Sequence, residues 1–304
     1  MKINHIYNAV LYRFINKSFP VWQKIGVHVT PNHFYQPIPD TRKLPDNLWN
    51  KETLLTGIEM NDEEQLKLLS AFCSNYKKEY DLFPENKTQI PYQYYINNGL
   101  FELADGIILY SMIRHFKPAK IIEIGSGNST CISAQAILKN KKENSSYNCD
   151  LTAIEPHPNE TLKSGFPGFT KLIQDEVQNI PVSEFEKLEE NDILFIDSSH
   201  VLKIGSDVQY EFFEILPKLN KGVLIHVHDI FLPGEYPKGW ILRDHVFVNE
   251  QYLLQAFLTY NDHFKVIWAG HYMRMKYHDM LKDAFGRYET DDRWPASFWI
   301  KKVK

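Results

Sequence analysis

Cysteine is scarce in this 304-residue chain: Cys73, Cys131 and Cys149 are the full complement. Their odd number and wide spacing fit neither a disulfide framework nor a metal-type cluster. That usage suits a reducing compartment, so a cytoplasmic location is expected. Long apolar runs are also missing. The N-terminus interleaves Asn4, Asn8, Arg13 and Lys17 with its apolar residues, which predicts neither a secretory signal nor a membrane span. Positive charge is not in excess: the formal net charge is -4, which argues against nucleic acid as the principal partner. Internal repeats and low-complexity tracts are absent as well. Hydrophobic residues at 43% and charged residues at 24% suffice for an ordinary folded core, so wholesale disorder is excluded.

Two textures divide the chain. Residues 1–90 are rich in Pro, Asn, His and aromatics and lack strand–helix alternation, so they are expected to form an irregular and helical N-terminal extension: a lid, a substrate-side cap or a contact between copies in a homo-oligomer. Within it, Tyr7–Val21 is amphipathic, and reads either as a surface-lying helix or as one packing on its own domain. The prolines of Gly26–Asp40 exclude helix through most of that piece. Asp62–Tyr80 sets apolar residues at helical spacing behind acidic starters, which predicts a helix. Residues 91–304 form the second part. A helical stretch, Leu100–Phe116, leads into short apolar runs separated by helical segments: Lys120–Ile124, Leu151–Ile154, Lys171–Ile173, Ile193–Ile196, Val223–Val227, Val266–Ala269 and Ser297–Lys301. This alternation predicts an α/β domain, a Rossmann-like seven-stranded, mostly parallel sheet with helices on both faces.

The first strand runs straight into Gly125-Ser126-Gly127, and Asn128-Ser129-Thr130 then opens a helix with capping side chains. Glycines at such a turn let a ligand approach the backbone closely. The third glycine of a dinucleotide fingerprint is lacking, so the pyrophosphate-binding pattern fails. Glu123 places an acid in the strand end, compatible with a ligand carrying an amino acid moiety instead of phosphate. Glu155 ends the second strand, where a carboxylate can accept both ribose hydroxyls of a nucleoside. Asp175, after the third strand, either meets an adenine amino group or caps a helix. Asn98 and Asp105, ahead of the first strand, are candidates for the ligand's amino acid end.

The fourth strand ends in Asp197-Ser198-Ser199-His200 and the fifth in His226-Val227-His228-Asp229. In an open parallel sheet both ends face one crevice beside the glycine turn. The series E-x-G-x-G, then Glu155, then Asp197, together with the run from Phe195 to Phe231, resembles the class I S-adenosylmethionine-dependent methyltransferases. The likeness is to the group with macrolide-sugar and catechol-type O-methyltransferases (methyltransferase domain family 24-like), over roughly residues 100–300. It implies S-adenosylmethionine held by Glu123, Gly125, Ser126, Gly127, Asn128, Glu155, Asp175 and Asn98. It also implies O-methylation of a small-molecule hydroxyl, on a sugar or natural-product intermediate. Aligned on the family's metal positions, Asp197 takes the first place while His228 and Asp229 take the pair, for a divalent metal such as magnesium, manganese or iron. The departure at His228 shifts preference from magnesium toward manganese, iron or zinc, or leaves a metal-free site in which His228 handles protons. Of the alternating His226 and His228, His228 is favoured because it adjoins Asp229. His200 stands where the catechol-type pattern has a lysine base, and an imidazole titrating near 6.5 suits that role at neutral pH. Beyond the fifth strand, Tyr236 and Trp240 either stack on an acceptor or anchor their loop. The alternatives are an NAD-dependent oxidoreductase and a non-catalytic nucleoside-binding module.

Overall fold

The computed structural model describes residues 2–286 and 295–304, with side chains from Leu11 onward. Its helices include α1 (Lys2–Lys24), α2 (Asp62–Tyr80), α3 (Leu103–Phe116) and α4 (Asn128–Glu143). Its strands are β1 (Lys120–Ile124), β2 (Asp150–Ile154), β3 (Lys171–Ile173), β4 (Ile193–Ile196), β5 (Leu224–Val227), β6 (Phe264–Ala269) and β7 (Phe298–Lys302). All seven expected strands are present, displaced by at most two residues at either end.

The chain divides into two compact units, one of residues up to Lys51 with Pro237–Phe247, the other of Glu52–Tyr236 with Val248–Lys304. The division falls at Glu52, not near residue 90, because α2 lies against α3 and β6 and so belongs with the sheet. In the smaller unit, Tyr12, Ile15, Phe19 and Trp22 form the half-buried face of α1. The return segment meets that face, with His28 stacked 5.4 Å from Phe19 and His33 edge-on 5.6 Å from Tyr12.

The larger unit is built on a seven-stranded sheet in the order β3-β2-β1-β4-β5-β7-β6. Neighbours are parallel except β7, which runs antiparallel to both β5 and β6. The strand order reverses between β1 and β4, so their carboxyl ends open a crevice. Alternation sends Ile193 and Phe195 into one core layer with α2, α3 and α4, and Leu194 and Ile196 into the layer on the opposite face. Both layers are covered, which is why these strands read as unbroken apolar runs.

Two polar residues in the approach to β1 serve the fold. Asn98 Oδ1 accepts the N–H groups of Leu100 and Phe101 at 3.0 and 2.7 Å, and its Nδ2 donates to the carbonyls of Tyr95 and Phe101. This turn delays α3 to Leu103. Asp105 is buried and its carboxylate accepts the N–H groups of Ala296 and Ser297. It thereby fixes the start of β7.

Candidate active site

The turn after β1 requires its first glycine. Gly125 has φ +76°, and a Cβ there would lie 1.8 Å from the carbonyl oxygen of Asp197. The β1 turn and the end of β4 therefore touch backbone to backbone. At Gly127 a Cβ would meet nothing within 4 Å, so open space adjoins the turn. The Thr130 hydroxyl accepts the Gly127 N–H at 3.0 Å and holds the start of α4.

Around this turn lie polar atoms of the kind a bound ligand satisfies. Glu123 is buried; one carboxylate oxygen accepts the Ser129 hydroxyl and the other has no partner, as does the buried Ser126 hydroxyl. Burial pushes the Glu123 carboxyl up to about 8, so it is protonated at neutral pH. Glu155 is half-buried; its oxygens accept the N–H groups of Ser126 at 3.2 Å and His157 at 2.8 Å, which sets the carboxylate at the turn.

Two expected ligand residues are otherwise engaged. Asp175 is exposed and accepts from the Glu176 N–H and the Asn179 side chain, capping its own turn as the simpler alternative had it. Asn98 has both amide hydrogens and its oxygen committed within its loop, and that oxygen also accepts from Asn128 at 3.1 Å. Asn98 thus acts on the site by tethering the loop to the start of α4. Tyr236 is buried, with its hydroxyl accepting the Gln251 N–H at 2.9 Å, so it anchors its loop.

The ends of β4 and β5 form the second half of the site. Asp197, His200 and Asp229 each offer a ligand atom, all within 4.8 Å of one another. His200 Nε2 lies 3.2 Å from Asp197 Oδ1 and 3.4 Å from Asp229 Oδ2. His200 and Asp229 both hold left-handed backbone, with φ +58° and +55°, which folds their side chains back over the strand ends. His228, expected among the metal ligands, is not in this group. Its ring stacks against His226, with Nδ1 3.3 Å from His226 Nε2, and its Nε2 stays 3.7 Å from Asp229 Oδ1. His228 and Asp229 still form an ion pair, but the atoms that converge on Asp197 are those of His200 and Asp229. His226 lies flat on Phe195 at 4.1 Å, and burial holds it neutral.

Behind His200 stand residues that sequence reading passed over. Glu250, fully buried at the start of helix Glu250–Leu258, sits 2.8 Å from His200 Nδ1. The N–H groups of Asn249 and Glu250 donate to the His200 carbonyl. Glu211, buried on the π-helical turn Glu211–Ile215, accepts the Ser198 hydroxyl at 3.1 Å. Asp207 accepts the Ser199 hydroxyl at 2.6 Å. Ser198, Ser199 and His200 are therefore each pinned by an acid.

The charges follow from this arrangement. Burial opposes a charged His200, but its hydrogen bonds to Asp197 and Glu250 outweigh that and hold it protonated well above the usual histidine range. The expectation of an imidazole titrating near 6.5 does not hold: three carboxylates surround the ring. Burial likewise raises Asp197, and the charges of His228 and His200 overcome it, leaving Asp197 ionised at about 2. Burial raises Glu211, reinforced by the neighbouring charge of Glu250, so Glu211 is a neutral acid.

A sheet that reverses at β1/β4, with a glycine turn and a strand-end carboxylate flanking the reversal, defines a Rossmann-like nucleoside-binding domain. Residues 122–230, which carry the glycine turn, Glu155, Asp175 and the polar ends of β4 and β5, match the family model described as a methyltransferase domain. An uncharacterized protein from Archaeoglobus fulgidus is 37% identical over 179 residues, 56% of this chain and 77% of the relative. The chain belongs to the class I S-adenosylmethionine-dependent methyltransferases. Similar solved structures include the CmcI-N160 apo-structure (14% identity, 69% of this chain and 76% of that one, TM-score 0.36). Another is described as a protein-L-isoaspartate O-methyltransferase from Plasmodium falciparum in complex with S-adenosyl-L-homocysteine (16% identity, 55% and 77%, TM-score 0.30).

Proposed function

We propose that this methyltransferase methylates a hydroxyl of a small-molecule acceptor, with Asp197, His200 and Asp229 as the centre that handles the acceptor's proton. The observation that carries this is the convergence of two carboxylates and one imidazole nitrogen beside the glycine turn. The turn at Gly125–Gly127 fits S-adenosylmethionine: the unpartnered Glu123 oxygen and Ser126 hydroxyl, the open space at Gly127 and the Glu155 carboxylate are what a nucleoside with an amino acid end requires. The bound cofactor supplies a methyl group already activated by its sulfonium. The protein's share is to orient the acceptor oxygen and take its proton.

The centre accommodates one positive occupant among its acids. In the metal-free protein that occupant is the proton on His200 Nε2. The same donor set, two carboxylates and an imidazole, suits a divalent cation of the manganese or iron kind, which would lower the acceptor hydroxyl's pKa. With a cation bound, His200 Nε2 is a ligand and not the base. Without one, His200 accepts the acceptor's proton only after losing its own, so transfer must rise with pH through values well above the ordinary histidine range. Glu250 on Nδ1 serves either route, because it aims Nε2 into the centre.

Labelled S-adenosylmethionine, offered with a panel of polyhydroxylated sugars and phenolic natural products, tests the proposal. Transfer to an oxygen, lost in Asp197→Ala and Asp229→Ala with S-adenosylhomocysteine still bound, is the expected result. Transfer to nitrogen or carbon, or undiminished transfer by both variants, refutes it. Chelator sensitivity separates the two routes.

A further inference from the structure

We infer that the outer face of α1 rests on an anionic membrane surface. The first 39 residues contain Lys2, Arg13, Lys17 and Lys24 and not one Asp or Glu, although the whole chain carries a net charge of -4. The inner face of α1 is occupied by its own return segment, through the pairs Phe19–His28 and Tyr12–His33. Among the described residues the outer stripe has no such cover. Leu11, Phe14 and Val21 recur at helical spacing with Ile25 just past the helix end, and they are 40%, 63%, 64% and 67% exposed. Arg13, Lys17 and Lys24 are exposed and, at 100° per residue, fall along one flank of that stripe.

The same segment adds Phe34 and Tyr35, tilted against each other at 4.2 Å and 80% and 81% exposed. Aromatic rings of this kind sit at the headgroup level of a bilayer. An apolar stripe, a basic flank whose aliphatic stems reach past it, and exposed aromatics match the chemistry of anionic phospholipid headgroups over acyl chains. The helix lies on such a surface and does not cross it, since no helix among the described residues is long and apolar enough to span a membrane.

Flotation of the full chain with vesicles tests this. Binding is expected to vesicles containing about a third phosphatidylglycerol and not to pure phosphatidylcholine, and it should fall at least tenfold at about 0.5 M salt. Phe14→Glu with Val21→Glu, and separately Arg13→Glu with Lys17→Glu and Lys24→Glu, should each abolish flotation. All these side chains are exposed, so the melting temperature and S-adenosylhomocysteine binding should stay unchanged. Absence of flotation on anionic vesicles overturns the inference, as does equal flotation on neutral ones. Light scattering that finds a dimer dispersed by the Phe14/Val21 variant, without vesicle binding by the wild type, would assign the stripe to a second copy instead. Salt-sensitive retention of duplex DNA or single-stranded RNA without vesicle binding would likewise overturn it.

Discussion

Replacing Glu123 with glutamine should flatten the fall in stability between weakly acidic and alkaline pH. The carboxyl is buried and held at about 8 against an ordinary value of 4.5. Between those values the folded protein binds a proton that the unfolded chain releases, so stability must fall as pH rises from 4.5 to 8 and level off beyond. Each pH unit in that window costs about 1.4 kcal/mol, giving an upper bound of about 5 kcal/mol; water entering the crevice brings the expected figure to about 3 kcal/mol. The glutamine side chain has the shape of the neutral acid and no proton to lose. Any penalty from its amide is the same at every pH and leaves the slope untouched. Urea denaturation of both proteins from pH 5 to 8.5 isolates the effect, because all other titrating groups are shared. The curves should diverge by about 3 kcal/mol, with wild type the less stable at high pH. Parallel curves would show that Glu123 titrates normally, and the account of it as a buried, neutral acid would be lost.

Three further outcomes follow from the same geometry. Gly125→Ala must move either the β1 turn or the Asp197 backbone. It should lose about 2–4 kcal/mol of stability together with most S-adenosylhomocysteine affinity, read by denaturation and calorimetry; unchanged binding would contradict the close approach. Asp105→Ala strips two buried N–H groups of their acceptor and should cost about 2–4 kcal/mol while leaving cofactor affinity nearly intact, which would separate it from the ligand-binding residues. Glu250→Ala releases His200 Nδ1. If Asp197, His200 and Asp229 hold a cation, manganese affinity measured by electron paramagnetic resonance should weaken by about 10- to 100-fold, and equal affinity would exclude Glu250 from positioning the ring.

The sheet was legible because its strands are covered on both faces, so each reads as a short unbroken apolar run; Ile193–Ile196 is the plainest case. The glycine turn was legible through Gly125, where a side chain has nowhere to go. What could not be read was the occupancy of polar side chains. Asn98 and Asp105 look like free ligand groups in a linear sequence, yet their partners arise from a loop and from residues near 296. Glu250 looks like any acid in a helix's first turn, and its bond to His200 spans 50 positions. Glu211 left a faint signal: a carboxylate beside Phe212 and Ile215 in an apolar stretch. That His200 and not His228 joins the converging ligand atoms is a tertiary outcome, and the left-handed backbone angle at Asp229 beside them is likewise not revealed by residue identity.

That angle has an evolutionary corollary. Left-handed backbone at a residue other than glycine costs about 1–2 kcal/mol, and Asp229 adds to this a carboxylate whose charge the crevice disfavours. Selection for sturdiness alone would install glycine there. Asp229→Gly should therefore yield a protein that melts higher and no longer performs its chemistry. If Asp229 serves the proposed proton-handling centre, its presence is a trade of robustness for activity at the tip of the fifth strand.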